Sequence, residues 1–179
     1  MKKLQLAACG PGKSVPRIVL PSKGKYWRRD DLVDWIIKEC LNSRILVGID
    51  FGFAYPYLDK NAYFPGHTES PKSAPDLWQK IDYICRGEPH FYAGPFYKDR
   101  TSAFSEYLCY QGYKGARFDN NRLRKTEEFC KRTGTRPTCL FKFVGADQAG
   151  SGSVAGMRVL NFLTNNHNST ISIWPFDIL

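Results

Sequence analysis

The clearest periodic signal in the chain lies between residues 30 and 41, where Leu32, Val33, Ile36, Ile37, Cys40 and Leu41 recur at three- and four-residue spacing. That spacing predicts a helix with one apolar face, capped by Asp30 or Asp31. Residues 76–85 repeat the pattern with Leu77, Trp78, Ile81, Ile84 and Cys85 and predict a second helix. A third is predicted from about Val154 to Leu163, apolar at Val154, Met157, Leu160 and Leu163, capped by Ser153 and broken by 165–168. Three apolar runs read as strands. Residues 45–49 end on the carboxylate Asp50, residues 139–144 read CLFKFV, and residues 170–174 lead through Pro175-Phe176 to a second acid, Asp177. Residues 3–9 and 17–20 are shorter strand candidates, and residues 54–75, rich in Pro, Tyr and Gly, read as a long loop. The aromatics around 94–97 suggest no regular element.

A helix feeding directly into an apolar strand is the local order of a layered α/β sheet. At 179 residues, with 42% hydrophobic and 24% charged positions, the chain is expected to form one globular domain. No apolar run approaches the 18 or so residues of a membrane span, so no membrane partner is expected. Neither a signal peptide nor an anchor is evident. Six cysteines are scattered without a CxxC pair, the usage of free thiols in a reducing cytoplasm rather than of a disulfide frame or zinc site.

Charge changes this picture in one place. The formal net charge is +9. Residues 114–136 hold Lys114, Arg117, Arg122, Arg124, Lys125, Lys131, Arg132 and Arg136 against Asp119, Glu127 and Glu128. This face reads either as a contact for a polyanion such as nucleic acid or as a solvated helix surface.

Several motifs imitate chemistry without its context. Residues 7–14, AACGPGKS, satisfy a loose phosphate-loop pattern, yet VPRIVLP follows where the mechanism requires a helix. Residues 48–52, GIDFG, resemble the first phosphate motif of actin-like phosphotransferases, but Phe53 stands where the hydroxyl residue belongs. His67, His90 and His167 lack partner spacing for a metal, and no Cys/His pairing marks a nucleophile. Residues 145–156, GADQAGSGSVAG, offer backbone amides and a helix start to an anion, or simply let a helix pack closely.

Taken in order, LVGIDFGFAYP at 46–56, GPFY at 94–97, Arg124-x-x-Glu127, FVGADQAGSGSVAGMRVL at 143–160 and IWPFD at 173–177 resemble bacterial proteins of the domain-of-unknown-function 429 family. That family is predicted to be ribonuclease-H-like, so the resemblance implies a mixed sheet with central parallel strands and helices packed on it. It also implies acids at neighbouring strand ends that hold Mg²⁺ or Mn²⁺ for nuclease chemistry. Hard oxygen ligands suit these ions, and two metals roughly 4 Å apart stabilise attacking and leaving oxygens at phosphorus. Under this reading Asp50 and Asp177 are the catalytic metal ligands and Glu127 is a further ligand. Arg122, Arg124 and Lys125 contact phosphate, and Gly145, Gly150, Gly152 and Ser153 form an anion-binding turn. The family's first strand, with its acid motif, has no counterpart ahead of residues 3–9, and members run on past the Trp-Pro-Phe-acid block. The sheet is therefore expected to be incomplete and the chain trimmed at both ends. The alternatives are a catalytically silent binding module on the same fold and an actin-like ATP-dependent phosphotransferase.

Overall fold

The computed structural model describes residues 4–12, 15–145 and 149–177. Among these are five α-helices and two small antiparallel sheets, a mixed α/β arrangement. The chain divides into two compact units, Met1–Val47 and Gly48–Leu179.

In the first unit, β1 (Leu6–Ala8) and β2 (Arg17–Val19) pair antiparallel, Leu6 opposite Val19 and Ala8 opposite Arg17. The periodic stretch forms α1 (Arg29–Asn42), which buries Val33 and Ile36. Its cap position is Arg28, so Asp30 and Asp31 lie within the first turn, where their charge opposes the positive end of the helix dipole. Trp27 is buried, donates its indole N–H to the Val19 carbonyl at 2.8 Å and meets Trp35 edge-on at 6.2 Å. A buried indole needs such an acceptor, and here it ties β2 to the start of α1.

The second unit contains α2 (Ala74–Ile84), α3 (Gly94–Lys98), β3 (Cys109–Tyr110), β4 (Tyr113–Lys114), α4 (Lys125–Arg132) and α5 (Gly150–His167). Ser73 and Asp76 start α2 with a reciprocal capping box: the serine hydroxyl accepts the Asp76 N–H and the carboxylate accepts the Ser73 N–H. Leu77, Trp78 and Ile81, fully buried, pack α2 on α5, which buries Val154, Met157 and Leu160. Arg158, on the same helix, is also buried. It bonds Asp82 at 2.7 Å and the Glu88 and Tyr92 carbonyls, fixing the segment after α2 against α5.

The three longer strand predictions have a different outcome. Residues 44–50 pair with no described strand, and Leu46 is fully exposed; a strand needs a neighbour to accept its backbone hydrogen bonds, and apolar sequence cannot supply one. Residues 139–144 are core, with Leu140, Phe141 and Phe143 buried, but they curl: the Lys142 N–H turns back to the Cys139 carbonyl. Among the described residues their one ladder contact is a parallel bridge between Cys109 and Lys142. Residues 170–174 form the turn that ends α5, with the Thr170 and Ile171 amides bonded back to His167. Of the residues 170–174, Ile173 alone is buried. The third helix is longer than predicted at both ends: the glycine-rich turn from Gly150 is itself helical, and the expected break at 165–168 does not stop the helix, which runs to His167.

The loop at 54–75 is held by side chains. Tyr55 stacks on Phe141 at 4.3 Å, and Phe64 sits among Phe96, Phe104, Tyr107 and Phe141. Arg122 is buried beside this cluster. Its Nε and Nη2 grip both oxygens of Asp59 at 2.7 and 2.9 Å, Nη2 is shared with the Pro56 and Ala62 carbonyls, and Nη1 donates to the Tyr63 carbonyl. Its face lies 5.1 Å from the Phe141 ring centroid. Arginine suits this role because its rigid fork of donors satisfies several carbonyls that a buried loop otherwise leaves unpaired.

Replacing Arg122 by alanine strands those acceptors and a carboxylate, and is expected to cost about 3–5 kcal/mol in urea unfolding; an unchanged midpoint contradicts the assignment. Hydrogen bonding from Arg122 holds the Asp59 carboxyl below its ordinary value. The pair's contribution is therefore complete above the unfolded aspartate value of about 3.9 and is lost as pH falls through the lower folded value. Asp59→Asn is expected to flatten that acid limb of the stability profile.

Candidate functional site

Four of the five sequence blocks meet around two residues of the second unit. Trp78 of α2 donates its indole N–H to the Phe53 carbonyl at 2.6 Å, and Phe176 packs edge-on against the same indole at 5.1 Å. The first and last blocks therefore share a neighbour. The Gly52 amide, buried, donates to the Ser153 hydroxyl at 2.9 Å across 101 residues of sequence, joining the first block to the fourth. The second block joins the same aromatic core, Phe96 stacking near Tyr55 and Tyr97 on Phe143.

Gly52 is required by space. A methyl group there would stand 2.4 Å from Leu140 Cδ1, 3.1 Å from Arg124 Nη1 and 3.2 Å from Ser153 Oγ. The third block, through Arg124, thus reaches the same point. On α5, a side chain at Gly150 would meet the Leu140 and Lys142 carbonyls at 2.7 Å, and one at Gly156 would strike the Phe51 ring at 2.5 Å. These two glycines let the helix start lie directly on the 139–144 backbone and beneath Phe51. Ser153 is not the cap the sequence predicts: it is fully buried inside α5, and its hydroxyl serves Gly52. Gly152 is exposed with open space beside it, and Gly145 adopts a positive φ of 103°. Residues 146–148 of the glycine-rich turn lie outside the described residues, as do 13–14 of the phosphate-loop-like motif and the start of the 3–9 stretch.

Arg124 and Glu127 form the start of α4. Glu127 accepts the Arg124 N–H at 2.8 Å, while Arg124 Nε and Nη2 grip its other oxygen at 3.0 and 2.7 Å. The glutamate is nearly buried and the arginine about one-third exposed. Both carboxylate oxygens are thus engaged, which removes Glu127 from service as a metal ligand in this arrangement. Arg124 Nη1 has no hydrogen-bond acceptor among the described residues, and it lies beside Gly52 near the first turn of α5.

The other expected ligands are likewise placed. Asp177 folds its carboxylate back onto the Ile173 N–H at 2.7 Å, closing the turn that carries it. Asp50 is exposed, just ahead of Gly52, and has no hydrogen-bond or ion-pair partner among the described residues. Asp50, Glu127 and Asp177 do not assemble into a group able to hold a metal ion, nor do any three His, Cys, Asp or Glu among the described residues. Of the residues expected to bind Mg²⁺ or Mn²⁺, Glu127 and Asp177 are committed to other hydrogen bonds, and Asp50 alone has an unengaged carboxylate among the described residues.

The basic face is also partly spent. Arg122, expected at phosphate, is saturated by the 56–63 loop as described above. Lys125 pairs with Glu128 at 2.9 Å on the surface, and Arg117 with Glu106 at 3.0 Å. Lys131, Arg132 and Arg136 remain exposed at and beyond the end of α4. Close helix packing was one of the two readings of 145–156, and Gly150 and Gly156 carry it, whereas sequence reasoning missed Gly52 as a point of close approach. The signal was a glycine set inside an apolar run, where no turn required one.

Comparison with protein-family models, with curated proteins and with solved structures finds no match for this chain.

Ser153→Ala removes the acceptor for the Gly52 amide and is expected to destabilise the second unit by about 1–3 kcal/mol. Gly152→Ala, at an open helical position, is expected to be neutral or stabilising. Chemical denaturation of both variants checks the pair; a Ser153→Ala protein as stable as the parent contradicts the described contact.

Proposed function

We infer that Gly48–Leu179 is a catalytically silent phosphate-binding module on a ribonuclease-H-like scaffold, and that its ligand is the backbone of a nucleic acid. The observation that carries this reading is Arg124, whose guanidinium is fixed by Glu127 with Nη1 turned away from it, beside Gly52 and the head of α5. A planar, pre-oriented fork needs little further ordering to take a phosphate, and a helix start adds positive potential at the same place. The net charge of +9 favours encounter with a polyanion, and Lys131, Arg132 and Arg136 extend the positive surface beyond α4. The ribonuclease-H-like scaffold rests on the ordered sequence blocks, which converge within one unit as a shared site requires. Two of the three acids that metal-assisted hydrolysis would use are otherwise disposed: Glu127 orients Arg124, and Asp177 closes its own turn.

A second reading, metal-dependent hydrolysis, is favoured by one observation, the exposed Asp50 carboxylate beside this site. One set of assays separates the readings. Fluorescence anisotropy with labelled single- and double-stranded oligonucleotides is expected to give salt-dependent binding. The paired variant Arg124→Gln/Glu127→Gln, which leaves no carboxylate unmatched, should weaken it and lower the log–log salt slope by about 1. Binding unaffected by that variant, or none at low salt, overturns the proposal. Cleavage in Mg²⁺ or Mn²⁺ that Asp50→Asn abolishes assigns hydrolysis instead, and stabilisation by ATP in a thermal shift assigns a phosphotransferase.

A further inference from the structure

Within α4, Glu127 alone is buried. At about 100° per residue, the side chains on the opposite side of the helix are Lys125, Phe129 and Arg132, and all three are exposed. Phe129 is 66% exposed, and its ring meets no other ring and no cation among the described residues.

A single exposed apolar side chain is ordinary on a protein surface, so Phe129 is informative only through its company. Lys125 and Arg132 flank it on the same face, Lys131 is also exposed, and Arg136 is exposed just beyond the helix. Lys131, Arg132 and Arg136 form no ion pair among the described residues. Of the two acids in α4, Glu127 faces inward and Glu128 holds Lys125 at 2.9 Å. That pair lies at the surface, where such pairs contribute little and give way readily to a phosphate.

Charge alone would serve any polyanion, and the ring narrows the choice. In a duplex the base faces are stacked on one another, and only their edges and the backbone reach a protein. In a single strand each base face is open to an aromatic side chain, and phosphates lie on either side of it. An exposed ring between cations matches the second ligand.

We propose that the outer face of α4 is a base-stacking platform for single-stranded nucleic acid, with Phe129 under one unpaired base and Lys125 and Arg132 at the flanking phosphates. The proposal rests on the reading of Arg124 as a phosphate contact and names the form of nucleic acid that site takes. Arg124 is the N-cap of the same helix, about 7.5 Å along its axis from Phe129, so a few nucleotides cover both. Stacking on a phenyl ring does not depend on which base is presented, so the preference is for strandedness rather than sequence.

Anisotropy titrations with a labelled single-stranded oligonucleotide and with the duplex of the same sequence test this. The parent chain is expected to bind the single strand more tightly at equal salt. Phe129→Ala should weaken single-strand binding about tenfold, leave duplex binding within about twofold and leave the salt slope unchanged. Phe129→Trp should keep the affinity, and its added emission should be quenched by the single strand but not by the duplex. Both variants alter an exposed side chain, so neither threatens the core. Arg132→Gln should lower the single-strand salt slope by about 0.7. If Phe129→Ala has no effect while Arg124→Gln/Glu127→Gln weakens binding, the platform is overturned and the phosphate reading stands. Absence of oligonucleotide binding at low salt overturns both. Duplex binding as tight as single-strand binding also overturns the platform. So does a concentration-dependent dimer, seen by sedimentation velocity, that Phe129→Ala abolishes, since the face would then belong to a second copy of the chain.

Discussion

The second unit depends on one contact, the buried Gly52 amide on the Ser153 hydroxyl. A loop amide removed from water must find an acceptor, and the helix supplies one from inside its own turn. The contact works only because residue 52 has no side chain, since Leu140, Arg124 and Ser153 already occupy the space a methyl group would need. The same economy recurs at Gly150 and Gly156, where α5 lies against backbone carbonyls and the Phe51 ring. The glycine-rich segment is thus first a packing device, and its closeness brings the head of α5 beside Arg124.

Guanidinium groups do the other long-range work. Arg122 closes the loop that follows the site, and Arg158 fixes the chain after α2 on α5. Both are saturated by carboxylates and carbonyls, a use of positive charge that a count of basic residues cannot distinguish from ligand binding. Arg124 differs because Glu127 occupies one edge of its fork and leaves the other unengaged among the described residues. An ion pair can position a ligand-binding group as well as stabilise a fold, and here the geometry suits both.

The three longer helices were legible in the sequence because their signal is local, whereas α3 lies where the aromatics suggested no regular element. The apolar spacing of 32–41, 77–85 and 154–163 marks α1, α2 and α5 within a few residues of their bounds, and even the short β1 and β2 fall inside predicted stretches. The apolar runs at 45–49, 139–144 and 170–174 were legible only as apolar. Whether such a run becomes a strand depends on a partner elsewhere in the chain, and the structure resolves the three as an unpaired segment, a curled piece of core and a helix-ending turn. The blocks that converge on Trp78 and Gly52 were recognisable as a set, but the roles of their acids were not. Glu127 and Asp177 are engaged by hydrogen bonds that no residue spacing specifies.

Hydrogen exchange at the Gly52 amide tests this account most directly. Gly52 lies in no helix or strand, so an amide there would ordinarily exchange at the rate of an open loop. If Ser153 accepts its hydrogen bond in a buried site, the Gly52 amide exchanges as slowly as the core amides of α2 at Leu77 and Trp78. Exchange as fast as at Gly48 would mean that the first and fourth blocks are not joined, and the site described around Arg124 would not exist.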